Sequence, residues 1–186
     1  MKAPVFSFNK MTDVDITLGP EMKSTGEVMC IDDKFPKALY KACIAAGIEV
    51  PEKGTILITV ANQDKEEVVP IAKGFTDLGY DLAATKGTAE YLKSHGIPVS
   101  HVEKASAGKP NLLDDIKEGR ICMVVNTFTH GQDASRDGFK IRRSTVEHAI
   151  PCLTSLDTVR ALQHAMAAMA HQRINSVIAL QDLKTE

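Results

Sequence analysis

The sequence predicts an α/β fold, a three-layer sandwich in which helices flank a parallel sheet of about five strands. Two observations carry this prediction. From residue 34 onward, short apolar runs rich in β-branched residues alternate with helical segments, which is typical of parallel strands joined by crossover helices. The chain has 186 residues, which is long enough to bury one core of its own.

The strands are predicted from apolar runs that are bounded by turn residues. Residues 55–60 read Thr-Ile-Leu-Ile-Thr-Val without polar alternation, so this strand is expected to be buried on both faces. The other predicted strands cover residues 80–84, 97–102, 121–125 and 150–153.

The helices are predicted from apolar side chains at helical spacing. In residues 64–78 the apolar side chains recur every three or four positions, and Gly79 ends the segment. Pro70 fits this helix only if it lies near the first turn. Further helices are predicted from about residue 34 to Gly47 and over 88–94, 112–118, 144–148 and 158–172.

Residues 1–33 differ from the rest of the chain. Residues 5–8 resemble a strand, but Asp, Gly, Pro and Ser then interrupt any helical period, and residues 19–20 and 24–26 are predicted to be turn residues. The segment is interpreted either as an arm packed on the domain or as the end of a preceding domain. We therefore expect a boundary between residues 1–33 and 34–186.

Composition excludes several function classes. The net charge is −2 and Trp is absent, so neither a basic field nor a base-stacking surface for nucleic acid is expected. No apolar run approaches the ~20 residues that span a bilayer, and no secretory signal is evident. We therefore expect a cytoplasmic protein with four reduced cysteines. No set of His, Cys, Asp and Glu residues has the spacing that is typical of metal ligands.

The carboxyl ends of parallel strands are where ligands bind in open sheets. Four loops are predicted at these ends, over residues 61–65, 85–88, 103–111 and 126–137. Residues 84–89, Ala-Thr-Lys-Gly-Thr-Ala, lead from a predicted strand into a helix. The hydroxyls of Thr85 and Thr88, with free amides at a helix amino terminus, suit an anion. Alternatively, either threonine only caps the helix.

Other polar residues lie at the same edge. Lys65 begins a predicted helix, an unfavourable place for a cation unless an anion lies beside it; alternatively, it is a solvated lysine in an acidic run. Lys104 and Lys109 flank the third loop and could reach the same point. Asn126 and Thr127 end the fourth strand, where a carboxamide suits a sugar or base edge, although each is also a common turn residue.

Other motifs carry less information. Arg142 and Arg143 form a basic pair, which by itself is more typical of a salt-bridged helix than of a ligand clamp. No Ser/His/Asp or Cys/His nucleophile motif is visible.

Several motifs resemble one family. Residues 5–10 and 18–29 resemble the end of the second ATP-grasp half of carbamoyl-phosphate synthetase large subunits. Residues 64–65, 84–89, 108–110, 125–127 and 141–144 resemble the methylglyoxal-synthase-like (MGS-like), Rossmann-like domain that closes those subunits. The resemblance covers essentially the whole chain. It implies that residues 1–33 are the tail of an ATP-grasp domain and that 34–186 are a regulatory domain of a longer protein.

The resemblance also implies a function. The parent enzyme is an ATP-dependent ligase that makes carbamoyl phosphate from bicarbonate, glutamine-derived ammonia and two ATP, for pyrimidine and arginine biosynthesis. It uses ATP, magnesium and potassium, whereas this domain needs no cofactor. Expected partners are the upstream ATP-grasp domains and a glutaminase small subunit, and self-association of the chain is a further option.

The domain of that family binds a phosphorylated effector such as UMP, IMP or phosphoribosyl pyrophosphate. The resemblance implies that the effector phosphate is held by Lys65, Thr85, Thr88 and Lys104. It implies that the ribose and base are held by Asn126, Thr127 and Asp137. Phe128 departs from relatives that carry a second hydroxyl residue there, which leaves the identity of the effector open.

Two alternatives differ in kind from a regulatory domain. Methylglyoxal synthase shares the fold and acts as a lyase on dihydroxyacetone phosphate, which requires a general base. That family has an Asp in the third loop and a His in the first, whereas residues 104–111 contain no acid and residues 61–64 no His. We therefore expect no catalysis by this chain. The second alternative is a docking or oligomerisation domain that binds no ligand.

Overall fold

The computed structural model describes residues 1–11, 14–128, 132–170 and 180–182. The strands within these residues are β1 Lys2–Phe6, β2 Ser24–Met29, β3 Thr55–Thr59, β4 Asp81–Thr85, β5 Ser100–Val102, β6 Ile121–Asn126 and β7 Cys152–Leu153. The α-helices are α1 Phe35–Ala45, α2 Lys65–Asp77, α3 Lys86–Ser94, α4 Leu112–Lys117, α5 Gln132–Glu147 and α6 Leu156–Met169. Short 3-10 turns cover Phe8–Lys10, Asn62–Asp64 and Leu180–Asp182.

The main sheet has five strands in the order β5–β4–β3–β6–β7. Every neighbouring pair is parallel. From β3 the chain adds β4 and β5 on one side and then returns to add β6 and β7 on the other. The sequence prediction of a five-stranded parallel sheet flanked by helices is confirmed.

The core lies on both faces of the sheet. Alternate residues of β3 belong to two different apolar clusters, because successive side chains of a strand point to opposite faces. Ile56 and Ile58 pack with buried residues of α2, α3 and α6, such as Phe75. Leu57 packs with residues of α4 and α5, such as Ile116. This division produces the predicted three layers.

Helix α2 continues through Pro70, which lies in its second turn. The prediction that a proline is tolerated only near the first turn is therefore wrong for this helix. Pro70 is exposed, so water can bond the carbonyl that loses its intrahelical partner. The helix ends where predicted: Gly79 has φ +87°, a conformation that glycine adopts without steric cost.

Two further predictions are corrected. Residues 24–26 were expected to be turn residues, but they begin β2, which pairs antiparallel with β1 in a separate two-stranded sheet. Residues 126–137 were expected to form one loop, but α5 already begins at Gln132 rather than near Ser144. The predicted end of the last helix at residue 172 lies outside the described residues.

The amino-terminal segment lies against α1 and α5. Both β1 and β2 contact α1, and Arg143 of α5 donates hydrogen bonds to the carbonyls of Phe8 and Met11 at 3.4 and 2.7 Å. The boundary between residues 33 and 34 stays a prediction. Across the described part of the chain, no helix combines the length and the apolar character needed to cross a bilayer.

Candidate ligand-binding site

A cavity of about 260 Å³ opens at the carboxyl edge of the sheet. Its walls come from the segments that follow β3, β4, β5 and β6, together with α5. The seven residues predicted from the sequence all line it: Lys65, Thr85, Thr88, Lys104, Asn126, Thr127 and Asp137. The structure thus brings the predicted residues together, while their role in binding stays a prediction. Lys109 does not line the cavity; it lies beside Asp114, with Nζ 3.8 Å from Oδ1.

One end of the cavity surrounds the amino terminus of α3. Thr85 occupies the N-cap position, but its side chain makes no capping hydrogen bond. The capping alternative therefore does not account for this hydroxyl, which remains available at the cavity wall. Thr88 lies in the first turn and is 3% exposed. Both hydroxyls thus line the wall where the amides of the first turn have no intrahelical partners.

Lys65 approaches this end from the first residue of α2. A Cβ added to Gly87 would lie 3.4 Å from Lys65 Nζ, so the ammonium group lies beside the first turn of α3. The same nitrogen is 5.9 Å from the centre of the Tyr91 ring. Among the described residues Lys65 has no ion-pair partner. An ammonium group and two helix amino termini therefore converge on this end of the cavity.

The other end is formed by the residues that follow β6. Thr127 Oγ1 accepts a 2.8 Å hydrogen bond from the Ala61 amide, so its own proton remains free to donate. Asn126 Oδ1 accepts from Arg142 Nη1 at 2.9 Å. Because a guanidinium nitrogen can only donate, this contact fixes which side-chain atom of Asn126 is the oxygen. Within the described part of the chain, the Asn126 nitrogen has a single contact, at 3.5 Å, with the Thr59 carbonyl.

Asp137 closes the cavity between α5 and the loop after β5. Its Oδ2 accepts a 2.7 Å hydrogen bond from Ser106 Oγ. Lys104 lies on the same loop and is exposed. Asp137 is the single carboxylate, and histidine is absent, among the described residues that line the cavity. Among the described lining residues, Lys65 and Lys104 outnumber that one acid even when Arg142, which is ion-paired with Asp15, is left out, so the cavity favours an anionic ligand.

Arg142 is a charged lining residue that the sequence analysis did not assign to the site. It is 4% exposed, and it donates from Nε and Nη2 to the Asp15 carboxylate at 2.7 and 2.5 Å. The Phe128 ring centre lies 4.9 Å from Arg142 Cζ. The basic pair was expected to form salt bridges, and both arginines do. No local signal relates Arg142 to the cavity, because Asp15 is 127 residues away in the sequence.

The charge of Arg142 shifts the pKa of its partner. Partial burial works to raise the pKa of Asp15, but hydrogen bonds from Arg142 and Thr17 and the positive charge of Arg142 outweigh it. The net effect is a pKa below the ordinary value for an aspartate. Asp15 is therefore ionised at neutral pH, and the buried guanidinium is neutralised by a residue of the amino-terminal segment.

The fold and the cavity define a class: an α/β domain with a cationic, donor-rich cavity at the carboxyl edge of a parallel sheet. Residues 67–154, just under half of the chain, match the family model of the MGS-like domain. Over these residues the chain is similar to the MGS-like domain.

Two solved structures are similar to the chain. One is methylglyoxal synthase from Elizabethkingia anophelis NUHP1, with a TM-score of 0.48 and 17% identity, covering 61% of this chain and 79% of that protein. The other is ForH, with a TM-score of 0.48 and 20% identity, covering 64% of this chain and 81% of that protein.

Proposed function

We propose that this chain is a regulatory domain that binds a phosphorylated, nucleotide-type effector without transforming it. One observation carries the proposal. Lys65 and the Thr85 hydroxyl, which makes no capping hydrogen bond, lie together at the amino terminus of α3. The same cavity is also lined by Lys104 and Thr88. A phosphoryl group has the charge and the acceptor oxygens that suit such a set of donors.

The opposite end of the cavity suits a ribose or base. The Asn126 nitrogen and the Thr127 hydroxyl can donate to a ligand oxygen, and the Asp137 carboxylate can accept from a ligand hydroxyl or N–H group. UMP, IMP and phosphoribosyl pyrophosphate each combine a phosphoryl group with such oxygens and hydroxyls. These three compounds are therefore the candidates that the proposal names.

We further propose that the domain belongs to the large subunit of a carbamoyl-phosphate synthetase. The support lies outside the matched residues 67–154, in the resemblance of residues 5–10 and 18–29 to the end of an ATP-grasp domain. On this proposal the parent is an ATP-, magnesium- and potassium-dependent cytoplasmic ligase with a glutaminase subunit. The chain would regulate carbamoyl phosphate synthesis for pyrimidines and arginine.

A lyase of the methylglyoxal synthase type is the second candidate, favoured by the MGS-like match. Such a lyase must remove a proton from dihydroxyacetone phosphate. Among the described lining residues, only Asp137 offers a carboxylate for this role, and its Oδ2 already accepts from Ser106. The regulatory proposal therefore explains the lining residues better.

Calorimetry and an activity assay test these candidates together. Titration of the purified chain with UMP, IMP and phosphoribosyl pyrophosphate should reveal binding of at least one. Incubation with dihydroxyacetone phosphate should give no methylglyoxal. Turnover that disappears in Asp137→Asn would favour the lyase. Absence of both binding and turnover would favour a docking domain without a ligand.

A further inference from the structure

The guanidinium of Arg142 joins two parts of the chain that are distant in sequence. On one side it forms the two-pronged contact with Asp15, and on the other it donates to Asn126 at the cavity wall. A buried arginine without a partner is strongly unfavourable, so removal of either contact must change the position or hydration of this group. The amino-terminal segment is therefore part of the support of the cavity wall.

The position of the guanidinium is restricted from two further directions. Gly138 lies one helical turn before Arg142, and a Cβ added there would be only 2.9 Å from Arg142 Nη1. The Phe128 ring covers another side at 4.9 Å. Gly138 thus leaves the space through which Nη1 reaches Asn126 Oδ1.

This support determines what Asn126 offers to a ligand. With Oδ1 occupied by Arg142, the side chain presents its nitrogen, which has at least one proton without a close acceptor among the residues that the structure describes. Without Arg142 in place, the carboxamide is free to rotate and to present its oxygen instead. The group that meets Asn126 must therefore be a hydrogen-bond acceptor, a hydroxyl or carbonyl oxygen of the ligand.

We propose that Asp15 is a positioning residue for the ligand site: through Arg142 it orients Asn126 as a donor, so that ligand binding and docking of the amino-terminal segment favour each other. This inference rests on the proposed function, since it assumes that the cavity binds a phosphorylated ligand with further oxygens. It adds that the cavity is coupled to the amino-terminal segment, residues 1–33.

Coupling through Arg142 and simple electrostatics predict opposite changes in ligand affinity when Asp15 is replaced. Asp15→Asn removes a negative charge close to the cavity, so electrostatics alone predicts tighter binding of any anion. Coupling through Arg142 predicts the opposite for a nucleotide, a loss of affinity of about five- to fiftyfold. Inorganic phosphate, which needs only the end near α3, should not lose affinity.

Calorimetry with UMP, IMP, phosphoribosyl pyrophosphate and inorganic phosphate measures this difference on the full chain. Glu27→Gln is the matched control, because it removes the same charge from an exposed pair with Lys2 in the same segment. Gly138→Ala is a second variant that displaces Nη1 without altering any charge, and it should weaken nucleotide binding as well.

Reciprocity gives an independent readout. If the two events are coupled, the nucleotide must stabilise the docked segment by the same factor. Hydrogen exchange of the amides of β2 should therefore slow when the nucleotide is bound, and it should not change with inorganic phosphate.

The outcomes separate the two proposals. A wild-type chain that binds none of the three compounds overturns both. A wild-type chain that binds one of them, while Asp15→Asn binds it as well or better, overturns the coupling and leaves the proposed function standing.

Discussion

The side chain of Gln163 in α6 lies directly against Gly74 in α2. Its Nε2 donates a 2.6 Å hydrogen bond to the Ile71 carbonyl, and a Cβ added to Gly74 would lie 2.8 Å from the Gln163 carboxamide. Gln163 is 8% exposed. The two helices therefore approach closely at a point where only a hydrogen side chain fits.

Gly74→Ala should destabilise the fold by roughly 1–3 kcal/mol, because the added methyl overpacks a buried contact. This cost should exceed the gain of about 0.5–1 kcal/mol that alanine brings to a helix. Chemical denaturation measures the difference in the free energy of unfolding. Gly108→Ala is the control, since no atom lies within 4 Å of the added methyl.

A double-mutant cycle sharpens this result. Gln163→Ala costs stability by itself because the hydrogen bond to Ile71 is lost, but it also clears the space beside residue 74. The pair should therefore be less destabilising than the sum of the two single changes. Additive free energies would show that the contact with Gln163 is not the reason why glycine is needed at position 74.

Lys65→Ala should weaken binding of the effector by roughly 1–3 kcal/mol, the scale of a charge-assisted hydrogen bond. Lys73→Ala removes the same charge from an exposed position of the same helix and should leave affinity nearly unchanged. Calorimetry on both variants makes the comparison. Equal affinities in the two variants would place the phosphate elsewhere.

Thr85→Val should weaken binding of the effector by about 1 kcal/mol, since valine keeps the shape of threonine and removes the hydroxyl. Thr76→Val is the matched control, because the Thr76 hydroxyl bonds to carbonyls of its own helix outside the cavity. A stable Thr85→Val variant with wild-type affinity would restore the view that this residue only shapes the start of α3.

The lowered pKa of Asp32 leads us to expect that the stability of the fold depends on pH. Burial works to raise its pKa, but hydrogen bonds from Asp33 and Lys41, and the charge of Lys41 at 2.6 Å, lower it to about 2. The ordinary value is 3.8, so the folded state holds this proton less tightly than the unfolded state. Its contribution to stability is therefore present above that value and is lost as the pH falls through about 2.

The measurement is the free energy of unfolding of wild type and Asp32→Asn across this acidic range. Their difference should be largest near neutral pH and should shrink as the pH falls. A difference between wild type and Asp32→Asn that is constant with pH would contradict the assignment.

Most of the sheet was predictable because the sequence of each strand by itself indicates a strand. Residues 55–60 carry enough apolar, β-branched side chains to specify a buried strand without knowledge of their neighbours. Strand β2 was missed because its sequence, Ser-Thr-Gly-Glu-Val-Met, begins with residue types that are common in turns, and most of its residues are exposed. Its pairing with β1 depends on residues about twenty positions away.

The site divides in the same way. Thr85 and Thr88 were identified because a strand, a glycine and a helix start follow one another in sequence, and each step has a local chemical meaning. Arg142 was missed because its role depends on Asp15 and Asn126, which the fold brings to it from distant segments. The start of α5 was missed for a related reason, since its first turns are polar and contain Gly138.

The order of the five strands has a consequence for how binding preference can change. The groups that suit a phosphoryl ion follow β3, β4 and β5, whereas Asn126 and Thr127 at the opposite wall end or follow β6, on the other side of the central strand β3. On the proposed function, substitutions after β6 can therefore change which nucleotide or other phosphate ester is bound, while the groups that meet the phosphate are inherited unaltered.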